Sequence, residues 1–83
     1  MKLDVFWLQE SVDQLLELSQ RQPRQAARVV MAVRSFGRDG RGDFKKLTGA
    51  NEWRLRSGDW RVFCSLDGSK LYVIRIDNRR DAY

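Results

Sequence analysis

Two tripeptides, Ser57-Gly58-Asp59 and Asp67-Gly68-Ser69, divide the second half of this chain into three short runs and constrain its fold more than any other feature. A glycine among small polar residues, flanked by alternating apolar segments, is the signature of a tight hairpin connection. Residues 52–57, 60–66 and 70–77 are therefore predicted to be neighbouring strands of an antiparallel meander. Upstream, Leu3 and Val5 alternate with Lys2 and Asp4, which predicts an opening strand over residues 2–7.

From Leu8 the period lengthens. Leu8, Val12, Leu15 and Leu16 recur at helical spacing opposite Gln9, Glu10, Asp13, Gln14 and Glu17, predicting an amphipathic helix that ends near Gln20. Pro23 suits the first turn of a second helix, where its missing N–H is harmless. Ala26, Val29, Val30, Val33 and Phe36 form the apolar stripe of that helix, and Gly37 is its expected stop. Residues 38–43 hold no apolar side chain and are expected to be an exposed loop. The glycines of that loop lack the lysine and hydroxyl residue of a phosphate-binding loop, and they follow a helix rather than a strand. The expected fold is α+β, with the order β-α-α-β-β-β: a small antiparallel sheet with two N-terminal helices packed on one face, forming a single domain over residues 1–83.

The chain has one cysteine, Cys64, and no histidine, so it can form neither an internal disulfide nor a Cys/His metal site. No metal and no cofactor is implied. Acidic residues at 4, 10, 13 and 17 exclude a secretory or membrane-spanning N-terminus, so a cytoplasmic protein without membrane association is expected. The net charge is +5, and residues 23–83 carry all of the positive excess. Twelve of the sixteen basic residues are arginine, whose planar fork grips phosphate bidentately. Nucleic acid, or an acidic protein that imitates it, is the partner this charge suggests; a merely solubilising surface is the alternative.

Strand side chains alternate between faces, so parity sorts each run. Trp53 and Leu55 share one face, and Arg54 and Arg56 the other. Trp60, Val62, Cys64 and Leu66 should meet the helices, turning Arg61, Phe63 and Ser65 outward. In the last run, Tyr72, Ile74 and Ile76 are expected inward, with Leu71, Val73, Arg75 and Asp77 outward. Hairpins in register would then gather Arg54, Arg56, Arg61 and Arg75 on the helix-free face. Like charges on neighbouring strands repel, so such a cluster points to an anionic ligand. Phe63 and Val73 would offer an apolar patch for a base. The competing explanation is that each arginine pairs with a nearby carboxylate such as Glu52, Asp59 or Asp77. Cys64, facing inward, is expected to be an inert core thiol.

Three segments together resemble a known family: Phe44-Lys45-Lys46-Leu47-Thr48-Gly49, then Trp53-Arg54-Leu55-Arg56-Ser57-Gly58-Asp59-Trp60-Arg61-Val62, then Asn78-Arg79-Arg80-Asp81-Ala82-Tyr83. The series is similar to toxins of the RelE/ParE superfamily from type II toxin–antitoxin systems. For RelE-like members, the resemblance implies a ribosome-dependent mRNA endoribonuclease that needs no metal, in which a ribose 2′-OH attacks the adjacent phosphorus. It implies catalytic roles for Arg61, Arg56, Arg54 and Tyr83, and RNA contacts from Lys45, Lys46, Phe63, Arg75, Arg79 and Arg80. Its implied partners are a cognate acidic antitoxin, the ribosome and mRNA in the A site.

The chain departs from the pattern at Asn78, where the family often has histidine, and at Asp77, where an arginine is expected and Arg79 or Arg80 would substitute. The chain has no histidine; Glu52 stands where some members of the family carry lysine and others glutamate, so the resemblance makes it the candidate base, with Lys45, Lys46 or Tyr83 as the candidate acid. Two other functions fit the same scaffold: a ParE-like toxin that poisons DNA gyrase by binding, and a non-catalytic RNA-binding module.

Overall fold

The structure, a computed structural model, describes residues 2–49 and 51–78. Its elements are β1 (Asp4–Trp7), α1 (Gln9–Arg21), α2 (Pro23–Asp39), β2 (Asp43–Lys46), β3 (Trp53–Ser57), β4 (Trp60–Asp67) and β5 (Lys70–Asn78). The two hairpins form as the turn residues dictate. Ser57 faces Trp60 across one two-residue loop, and Asp67 faces Lys70 across the other. Gly58 and Gly68 open these loops at φ 60°, the left-handed glycine that a type II′ turn places first.

The α+β class and the pair of N-terminal helices on one face are as expected. The sheet holds one strand more than expected, in the order β1-β5-β4-β3-β2, and it is mixed, because β1 runs parallel to β5. The added strand is β2, antiparallel to β3. Its only inward apolar side chain in a four-residue stretch is Phe44, too little alternation to register as a period. Phe44 is held by stacking, with ring centroids 4.0 Å from Phe36 on α2 and 5.0 Å from Trp53 on β3.

The helices also differ in detail. In α1 the residues turned fully inward are Ser11 and Leu18, with Leu15 packed beside them, whereas Leu8 and Leu16 are exposed. Leu8 is not helical; it precedes the first turn in an extended conformation, and this sets which positions face the sheet. α2 buries Ala26, Val29, Val33 and Phe36 as the stripe predicts, but it does not stop at Gly37. It continues to Asp39 and ends at Gly40, φ 73°, whose N–H bonds Phe36 O at 2.8 Å. Gly37 instead permits close packing. A Cβ there would lie 2.8 Å from Val5 Cγ2, and the Gly37 carbonyl accepts the Leu3 N–H at 2.6 Å.

The core lies between the helices and the sheet, with Leu55, Val62, Cys64, Leu71 and Val73 fully buried. Each such burial contributes about 1.5–3 kcal/mol for a Leu- or Val-sized side chain. Leu71 and Val73 overturn the parity expected for the last run. Val62 pairs with Ile76 and Phe63 with Arg75, but Cys64 pairs with Val73, so Ile74 is an extra residue at a β-bulge. The bulge reverses alternation upstream of itself. Ile76 points inward and Arg75 and Asp77 outward as expected, whereas Leu71 and Val73 go into the core and Tyr72 to the open face.

β1 ends opposite Val73, which leaves the edge of β5 beyond that point without a strand partner. Side chains of α1 complete it. The Ser11 hydroxyl lies 2.7 Å from Leu8 O and 3.0 Å from Val73 O, and Gln14 Oε1 accepts the Ile76 N–H at 2.6 Å. Among the described residues, no helix is long and apolar enough to cross a membrane.

Gln14→Ala should lower the unfolding free energy by about 1–3 kcal/mol, since it strips a part-buried N–H of its acceptor. Urea denaturation measures this, and an unchanged midpoint at unchanged slope would contradict it. Burial raises the Cys64 thiol from an ordinary 9.0 to about 12. The neutral thiol is thus favoured in the folded state. The corresponding stability is fully present below pH 9 and declines as pH rises from 9 towards 12, by up to about 1.4 kcal/mol per pH unit. Denaturation of wild type and Cys64→Ala across that range should show a decline steeper in wild type by this amount.

Candidate nucleic-acid interface

The face of the sheet opposite the helices is built by the outward residues of five strands. The pairing aligns them in rows across the strands. One row runs Arg75–Phe63–Arg54–Lys45, and the next runs Asp77–Arg61–Arg56–Asp43. Glu52 precedes Arg54 by two residues and lies on the same side. Five cations and three carboxylates are thereby placed on one surface that no other described element covers.

The carboxylates engage specific arginines. Arg75 bridges Glu52 (Nη1–Oε1, 3.4 Å) and Asp77 (Nε–Oδ2, 3.3 Å), while its guanidinium carbon sits 4.1 Å above the Phe63 ring. Three contacts fix Arg75 in place and cover one face of Phe63. Arg54 Nη2 contacts Asp43 Oδ1 at 3.3 Å, and the Arg54 side chain is only 16% exposed. Its Nε is buried without a hydrogen-bond partner, a donor left to be satisfied. Pairing by local carboxylates therefore accounts for Arg75 and for part of Arg54, through Asp43 rather than the acids first considered.

Arg56 and Arg61 are neighbours across the next row of the face. They stand directly opposite each other on β3 and β4, the placement at which like charges destabilise a sheet by about 0.2–1 kcal/mol. Arg56 donates Nε to Gly58 O at 3.3 Å and remains exposed. Two guanidinium groups held side by side on an open face suit a phosphate, whose oxygens can accept from both.

The site residues expected from sequence separate into three groups. Arg54, Arg56, Arg61, Arg75, Glu52, Phe63 and Lys45 come together on the open face. Lys46 does not: it lies on the helix side at the sheet edge, with Nζ 5.9 Å from the Trp53 ring centroid. Tyr83, Arg79 and Arg80 lie outside the described residues. Val73, expected beside Phe63, is buried in the core. Tyr72 takes its place on the open face, stacked on Phe6 across β1 and β5 with centroids 5.5 Å apart. No local signal marks this exchange, because it depends on the bulge. Asp43 was hidden for another reason, sitting in a strand too short to show a period.

No family model and no curated protein sequence matches the chain. Solved structures do. The toxin–antitoxin complex RelBE2 from Mycobacterium tuberculosis contains a chain of TM-score 0.80 and 23% identity, covering 95% of this chain and 93% of that one. The YoeB/ParE toxin from Agrobacterium tumefaciens gives 0.72 and 23%, covering 94% and 98%. A chain of the chromosomal ParDE toxin–antitoxin system from P. aeruginosa gives 0.72 and 11%, covering 92% and 95%. Two helices on one face of a five-stranded mixed sheet, matched over nearly the whole length of each relative, give this chain the fold of the RelE/ParE-superfamily toxins.

Proposed function

We propose that this protein is the toxin of a type II toxin–antitoxin pair, acting in the cytoplasm as a ribosome-dependent mRNA endoribonuclease. The observation that carries the reading is the placement of Arg56 directly opposite Arg61, with Arg54 and Lys45 in the adjoining row, on a face that no described element covers. In the proposed reaction a ribose 2′-oxygen bonds to the adjacent phosphorus and the P–O5′ bond breaks. The products are a 2′,3′-cyclic phosphate and a 5′-hydroxyl. Arg54, Arg56 and Arg61 stabilise the charge that builds on the phosphoryl oxygens.

Glu52 is the proposed base, accepting the 2′-OH proton beside Arg54, and its contact with Arg75 orients the carboxylate. The leaving 5′-oxygen takes a proton from Lys45 or Tyr83. Lys46 is set aside as the acid because it sits on the helix side of the sheet. The proposed partners are the ribosome, mRNA in the A site, and a small acidic antitoxin; several structural relatives were solved in such toxin–antitoxin complexes.

One observation favours a second reading. Arg54 and Arg75 are already paired with carboxylates, and the chain has no histidine for acid–base work. A ParE-like toxin that disables DNA gyrase by contact alone needs neither feature.

Primer extension on a defined mRNA with translating ribosomes separates the two. Wild type should cut within the A-site codon and leave naked RNA intact. Arg61→Ala should lose about a hundredfold or more of that activity while its fold is preserved. An uncut message with wild-type protein would reject the ribonuclease and favour the gyrase-directed toxin.

A further inference from the structure

We infer that the stacked pair Phe6–Tyr72 is a base-binding ledge, so that single-stranded RNA crosses the open face with its bases on these rings and its phosphates on the neighbouring arginines. The inference rests on the reading of that face as an RNA site and adds the part of it that holds the base.

Phe6 is 44% exposed, a large apolar ring turned away from the core. The core side of the same strands is filled without it, by Val5 and Trp7 from β1 and by Leu71 and Val73 from β5. Phe6 and Tyr72 are register partners whose rings stack, with centroids 5.5 Å apart and planes inclined by 24°, so each ring covers part of one face of the other and a base can extend the stack on an outer face. Phe63, the third aromatic that the described residues place on this face, already has Arg75 4.1 Å from its centroid. Among the described residues, the ledge is the aromatic surface on this face for which no stacked guanidinium is recorded.

A second observation is independent of exposure. Ile76 and Tyr72 have the same parity, and Ile76 is buried, so an unbroken strand would also bury Tyr72. The extra residue at Ile74 turns Tyr72 outward while leaving Arg75 outward too. Bulges commonly re-aim a side chain next to a functional site. This one brings a stacked aromatic pair and a basic cluster onto the same face.

The chemistry matches one class of ligand. Every nucleotide presents a flat base and a charged phosphate, and proteins that hold single strands combine aromatic platforms with a cationic track. Rows on one face of a strand repeat every two residues, about 7 Å apart, so the ledge and the arginines are close enough to engage one short segment. A duplex keeps its base faces covered by its own stacking and would engage only the cations.

Fluorescence anisotropy with a labelled, unstructured RNA dodecamer tests this, using wild type, Phe6→Ser, Phe6→Leu and Phe6→Tyr. Phe6→Leu keeps an apolar neighbour for Tyr72 and removes the ring, which separates stacking from folding. Binding should weaken about five- to a hundredfold in the Ser and Leu variants and persist in Phe6→Tyr. With an abasic version of the dodecamer, all four proteins should bind alike. Equal binding of the dodecamer by wild type and Phe6→Leu would overturn the ledge, as would an equal loss on abasic RNA. Failure of wild type to bind the dodecamer would overturn the ledge, while the ribosome assay decides the ribonuclease reading separately. Base-dependent binding without cleavage in the ribosome assay would leave the ledge standing and remove only the ribonuclease. If Phe6→Leu instead lost a protein partner while binding RNA normally, the ledge would be a protein contact and the inference wrong.

Discussion

The pairing of β5 with β4 aligns both faces of the sheet, and it slips by one residue at Ile74. Below the slip, Leu71 and Val73 fill the core; above it, Ile76 does. Had the strand continued in phase, Tyr72 would compete with these residues for the interior, and its hydroxyl would need a buried partner. The bulge resolves this by giving the core an unbroken apolar lining while placing Tyr72, Arg75 and Asp77 on the opposite face. The composition of the open face follows from where that one extra residue falls.

β5 is also where the two halves of the chain meet. It pairs in parallel with β1 on one side and antiparallel with β4 on the other, and α1 packs across it. β1 is too short to cover the whole strand, so Ser11 and Gln14 of α1 supply the missing hydrogen-bonding groups. Polar side chains on the buried stripe of a helix would ordinarily weaken its packing. Here Gln14 accepts from the Ile76 N–H, and Ser11 adds a second donor to the Val73 carbonyl, which already accepts the Leu8 N–H, so each fixes how far α1 slides along the sheet. The Gly37 contact does the same for α2 against β1, where the absence of a side chain sets the distance.

The open face is arranged as a partly compensated cluster. Asp43, Glu52 and Asp77 sit at its margins and hold Arg54 and Arg75, while Arg56 and Arg61 oppose each other in the middle of their row. The partly exposed pairs of Arg75 contribute little stability, about 0–1 kcal/mol each, so exchanging one of its carboxylates for a phosphate costs little. They do restrict the arginines, which lowers the ordering cost when a ligand arrives. The lone buried Nε of Arg54 fits that view, since its present contact with Asp43 uses only one edge of the guanidinium.

The sequence by itself determined what depends on near neighbours. Gly58 and Gly68 specified the hairpins because only glycine enters the required turn conformation at no cost. The stripe through Ala26, Val29, Val33 and Phe36 specified α2, and the parity of residues 53–66 specified which arginines leave the core. Tertiary structure decided the rest. β2 exists because Phe44 stacks between Phe36 and Trp53, which belong to two other elements, and not because its four residues alternate strongly. The parallel join of β1 to β5, the continuation of α2 past Gly37 and the outward turn of Tyr72 were each settled by long-range packing. A bulge has no local signature when both neighbours are β-formers: Val73-Ile74 extends equally well in either phase. The choice between phases is made by which side chains the helices can cover, and that is a property of the assembled core.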